Sequence, residues 1–145
     1  PDNKVKDYEI PLGSGGLLTA LFMYRQLLTA GTTNVPADIS HGGIEPFYPP
    51  PADGGKPDYN KARVDCEVLR TKFAGFNAKW YYSPKDHTLL GGEVTLDHEE
   101  DPCELYFSNY QAVDGKQLPQ RIEVRYGDKT VAVWDEVAYK FTPAK

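Results

Sequence analysis

Two cysteines, three histidines and one dense acidic run are the residues whose chemistry could go beyond packing. A catalytic reading needs a nucleophile, a base beside it and a group that orients the base. His41 precedes Gly42-Gly43, but the Gly-x-Ser-x-Gly frame of a nucleophile elbow is absent. His87 stands beside Asp86 in Ser83-Pro-Lys-Asp-His-Thr88, which reads as a solvated type I turn. Gly13-Ser14-Gly15-Gly16 lacks both the lysine of a P-loop and the spacing of the dinucleotide fingerprint, so it reads as a glycine-rich helix entry. Asp97-His98-Glu99-Glu100-Asp101, with Cys103 nearby, carries ligand types for a cation. It has neither the alternating carboxylates of a calcium loop nor the Cys and His couplets of zinc, and reads as an acidic connection. Cys66 shares strand parity with Val64 and Val68, and Cys103 with Leu105 and Phe107, so both point to the core. There a free thiol packs as a small hydrophobe. A disulfide would need their strands close and facing, and the sequence leaves both states open. A thiolate nucleophile would need an exposed, electropositive position, which neither cysteine is expected to have. No catalytic set, metal or cofactor is expected.

Trp80, Tyr81 and Tyr82 form the densest aromatic cluster, and Tyr106, Phe107 and Tyr110 lie on a strand predicted near it. Cross-strand packing uses such rings routinely. An apolar pocket between a sheet and a helix would use them too, and its candidate lining is Leu18, Leu21, Phe22, Trp80, Tyr82 and Phe107.

The elements that must position these residues are mostly strands. Leu105 and Phe107 alternate with Glu104, Tyr106, Ser108 and Tyr110, then Ile122, Val124 and Tyr126 alternate with Arg121, Glu123 and Arg125. Period-two alternation predicts half-buried antiparallel strands, and Asp114-Gly115 supplies the left-handed turn between them. Arg63 to Phe73, Phe76 to Tyr82, Leu89 to Leu96 and Lys129 to Phe141 complete the predicted sheet, within residues 61–142. In the last of these, Val131, Val133, Val137, Tyr139 and Phe141 take the apolar parity, while Trp134 and Asp135 break it, a sign of a bulge or a half-exposed aromatic. Ile39 to Ile44 reads as a strand with a glycine bend. Residues 1–13 read as a linker with a short extended piece, and 46–57 as a Pro-rich loop. Residues 14–31 read as a helix with Ser14 as N-cap and Gly31 as stop. Arg25 is the sole charge between Leu17 and Leu28, so this helix must be covered on most sides.

A chain of 145 residues, 40% hydrophobic and 26% charged, fits one ordinary globular domain. A net charge of −5 argues against nucleic acid and anionic membranes as partners. No apolar run is long enough to span a membrane, and no signal peptide opens the chain. The chain starts at Pro1 and contains a single methionine, from which we expect a piece of a longer protein.

Phe76 to Leu90, with its Ser-Pro-Lys turn and Leu-Leu strand, resembles a hairpin of the periplasmic lipoprotein-carrier and outer-membrane lipoprotein-sorting superfamily. Tyr106 to Ile122, with its Val-Asp-Gly turn and Leu-Pro step, resembles that group's next hairpin. Similar tails also look like appended C-terminal domains of large secreted bacterial proteins. The resemblance covers Lys61 to Phe141. It implies a half-barrel sheet with helix in its concave side, where carrier members hold acyl chains, and it implies export to the periplasm or beyond.

The expectation is therefore an α+β domain, a curved antiparallel meander of about 5–7 strands on one apolar helix. Two functions are in view. One is a non-catalytic interaction domain bound to the rest of its parent polypeptide or to another envelope protein. The other is a module that binds an apolar ligand, a lipid or an acyl chain.

Overall fold

The structure, a computed structural model, describes residues 16–30, 38–51, 58–73, 75–95, 101–127 and 129–142. One helix, α1 (Leu17–Ala30), precedes seven strands: β1 (Asp38–Phe47), β2 (Val64–Phe73), β3 (Phe76–Tyr82), β4 (Leu89–Thr95), β5 (Cys103–Val113), β6 (Lys116–Tyr126) and β7 (Lys129–Trp134). The strands lie side by side in chain order, every pair antiparallel, in one sheet that does not close. The α+β meander on a single helix is thus the observed architecture. The linker, Ser14, Gly31 and residues 97–100 of the acidic run lie outside the described residues.

Local chemistry explains the ladder. Val113 pairs with Lys116 across Asp114-Gly115, whose φ angles of 49° and 77° give the turn its left-handed pair. The β3–β4 connection closes by Ser83 N–H donating to Thr88 O and His87 N–H donating to Ser83 O, both at 2.9 Å. β1 opens the sheet well before residue 61, bulged between His41 and Ile44, where Gly43 has φ 84°. Pro46 and Phe47, expected in the loop, end this strand. An edge strand tolerates a proline because one row of its amides needs no partner.

Alternation sorts the side chains onto two faces. Ala20, Met23 and Tyr24 of α1 pack on Phe76, Ala78, Trp80, Val94, Cys103, Leu105, Phe107, Ile122 and Val124. Tyr24 stacks on Phe107 at 4.7 Å and on Trp80 at 6.4 Å between ring centroids. Trp80 Nε1 donates to Thr71 Oγ1 at 3.0 Å, so the fully buried indole keeps its hydrogen bond. The opposite face carries a smaller cluster of Phe47, Cys66, Val68 and Tyr81.

Two expectations require correction. Tyr110 does not share the face of Glu104 and Tyr106, since it packs with the helix-side core. Asn109 between them takes φ 54°, a left-handed step that reverses the parity. The last strand stops at Trp134 instead of Phe141, and Val131 and Val133 are exposed while Ala132 packs on the core. A register shift opposite Val124 and Arg125 places the extra residue there, so parity read from one end fails at the other. The two thiols, expected in the core with a disulfide left open, are free and buried in different clusters. Strands β2 and β5 are three ladder spacings of about 4.8 Å apart, beyond disulfide reach.

Candidate binding site

On the face opposite the helix, β1 and β3 to β6 frame a cavity of about 560 Å³. Its wall is aromatic: Phe47, Tyr48, Tyr59, Tyr81 and Tyr106 line it. Phe47 lies 5.0 Å from the Tyr81 ring and 5.5 Å from that of Tyr106, and Tyr48 meets Tyr59 edge-on at 5.1 Å. Gly91 makes this wall possible, because a Cβ there would stand 2.6 Å from the Phe47 ring.

Glu93, Glu104 and Arg125 give the cavity its charge, and an ion-pair row continues from Glu93 along the same face. Glu45 accepts from Arg70 and Lys79, each at 2.8 Å, and Lys79 also reaches Glu93 at 3.5 Å. The Lys79 hydrogen bond, helped by Arg70, holds the Glu45 carboxyl below its ordinary range against the opposing effect of burial. Tyr81 donates its hydroxyl to Glu93 at 3.1 Å. Across the next ladder Glu93 pairs directly with Glu104. Burial, and then the neighbouring Glu93 charge, push the Glu104 carboxyl above the usual range. Farther along, Arg125 lies 5.3 Å over the Tyr106 ring and donates to Glu123 at 2.7 Å. Thr130 completes that carboxylate with a 3.0 Å hydrogen bond. Glu123 and Arg125, read from parity as outward-facing, are 4% and 6% exposed. Desolvation on that scale is tolerated because the pair is hydrogen-bonded.

The same burial argument bears on reactivity. Burial drives the Tyr81 and Tyr106 phenols above their ordinary range, with Glu93 and Glu104 respectively adding to it, so both hydroxyls act as neutral donors. Burial also pushes the Cys66 thiol up to about 11 and raises that of Cys103. A thiol held neutral is a poor nucleophile. His41 and His87 are exposed, and no group of three metal-ligating side chains occurs among the described residues.

The residues expected to line an apolar pocket separate. Trp80 and Phe107 are consumed by the contact with Tyr24. Phe22 packs on Phe73 at 5.3 Å, Leu21 is half-buried, and Leu18 is 42% exposed. Tyr82 alone of the six reaches a cavity described here, about 530 Å³ at the C-terminal end of α1, with Leu27, Leu28, Leu89 and Leu118. Sequence reasoning missed the opposite face. Its available signal was that Glu104 and Tyr106 share parity, as do Glu123 and Arg125, but Phe47, Tyr81 and Glu93 join them only through register.

No protein-family model matches the chain, and no match was found among curated proteins or solved structures.

Proposed function

We propose that the chain is a non-catalytic interaction domain that receives a polypeptide partner on the face opposite its helix. One observation carries this reading: the 560 Å³ cavity combines five aromatic rings with hydrogen-bonding carboxylates. Aromatic rings with a polar tip are the side chains that anchor protein interfaces, since they bury much area at small entropy cost. The neutral phenols and thiols support binding over covalent chemistry. The partner is the rest of a parent polypeptide or another envelope protein. The hairpin resemblance supports a setting in the periplasm or outside a bacterial cell.

Photocrosslinking in the full-length protein tests the reading. A benzophenone side chain at Tyr59, 62% exposed on the cavity rim, should form a polypeptide adduct. That adduct should disappear when Tyr106→Ala shortens the wall. Adducts only from the same probe at Leu18, on the helix, would overturn the proposal.

The leucine-lined cavity beside Tyr82 favours a second reading, an acyl-chain site at the mouth between helix and sheet. Native mass spectrometry should then show an extractable lipid mass that Leu28→Trp removes. A lipid retained by that variant would place it elsewhere.

A further inference from the structure

The polar groups around the 560 Å³ cavity divide by whether the fold already uses them. Glu93 is served by Lys79 at 3.5 Å and by the Tyr81 hydroxyl at 3.1 Å. Glu104 is served by the Tyr106 hydroxyl and by Arg125, which stands opposite it across the β5–β6 ladder and attracts its charge. Each carboxylate of the lining therefore has a cation and a phenol from its own fold. The rim differs. Tyr48 and Tyr59 meet edge-on, and among the described residues neither hydroxyl takes part in a hydrogen bond. What is left for a partner is two phenol donors at the rim and the ring faces beside them.

Occupants can be compared by chemistry. A basic side chain would compete with Lys79 and Arg125 for carboxylates they already hold, and an acidic one would meet Glu93 and Glu104 as a like charge. An ordinary extended segment brings a backbone N–H at every residue, and each one buried unpaired against a ring face costs free energy. Proline brings none. A polyproline II segment is extended before it binds, leaves its carbonyls free of internal bonds and docks in aromatic-lined grooves. Pro46 already places one pyrrolidine ring in this lining. Resting on the assignment of this face to a polypeptide partner, we infer that the cavity takes an uncharged, proline-rich segment of that partner in the polyproline II conformation. Its rings lie on the aromatic wall, and its carbonyls accept from Tyr48 and Tyr59.

The test uses short capped peptides and the amide spectrum of the intact chain. Hexaproline should shift the amides of Tyr48, Tyr59 and Tyr106, while a Gly-Ser repeat of the same length should not. Tyr59→Phe should weaken hexaproline about fivefold, the size of one lost hydrogen bond. The same variant should melt at the temperature of the parent, because that hydroxyl bonds nothing in the fold, which shows that the lost binding is not lost folding. A lysine at the centre of the proline peptide should not tighten it, and tighter binding would overturn the uncharged assignment. Equal shifts from the Gly-Ser peptide would overturn the proline requirement while leaving the face as a binding face. If no peptide shifts these amides, the proline inference fails, and the Tyr59 crosslink judges the face independently.

Discussion

At the scale of single residues, Glu45 and Glu104 share one face yet should respond to acid in opposite senses. Glu45 titrates below the ordinary carboxylate range because Lys79 and Arg70 bond to its charged form. Its stabilising contribution is present above the unfolded carboxylate pKa and is lost as pH falls through the lowered folded value. Glu104 titrates above that range, through burial and the Glu93 charge. Its contribution is full below the unfolded pKa and is lost as pH rises through the raised folded value. Denaturant midpoints measured across the acid range should therefore show Glu45→Gln flattening the acid side and Glu104→Gln gaining stability above it. The gain at neutral pH should stay under about 1 kcal/mol, because Arg125 on the other flank attracts the charge that Glu93 repels. Identical pH profiles for parent and Glu104→Gln would contradict the placement of that carboxylate. Little of this was legible in the sequence. Glu104 and Tyr106 announce a shared face, but which carboxylate opposes Glu104 depends on the register after residues 96–102. The left-handed Asn109, which moves Tyr110 to the other side, has no composition signal beyond the tolerance of asparagine for that conformation.

The elements themselves were far more legible, because each carries its own periodicity and punctuation. Asp114-Gly115 fixes β5 against β6 by turn chemistry alone, and the apolar run from Leu17 marks α1. The bulge that Trp134 and Asp135 signalled in β7 is there, but it falls earlier, between Thr130 and Ala132, where no glycine or proline marks it, so the parity was misread. The helix is instructive for another reason: it stands outside every ladder and is held by side chains. Its last turn has no basic residue, and Lys116 from the β5–β6 hairpin supplies one by donating to Leu28 O at 2.9 Å. Tyr139 donates its proton to Pro119 O at 2.7 Å, so Tyr24 must be the donor in the 3.2 Å bond between the two hydroxyls. Tyr24→Phe should cost about 0.5–1.5 kcal/mol, the net value of one such bond. Hydrogen exchange should accelerate in the α1 amides and stay unchanged in β3 and β5. Uniform acceleration throughout would mean that the helix and sheet open as one unit.

For the whole molecule, the meander of described strands has β1 and β7 at its edges, and both edges are blunted. β7 is only six residues long and bulged, while β1 carries Gly43 and Pro46. Pro46→Val would restore a donor on an exposed edge. The variant should self-associate at high concentration, seen as earlier elution from a sizing column, and an unchanged monomer would show that Pro46 is not the guard.

The chain-order pairing has a mechanical corollary. With β1 and β7 at opposite edges, Asp38 and Trp134 sit at diagonal corners of the sheet. Tension between those corners pulls β1 and β7 along their own axes in opposite senses, so the hydrogen bonds of each edge ladder share the load in shear. Set in line with a load, such a domain resists as a clamp before it lengthens.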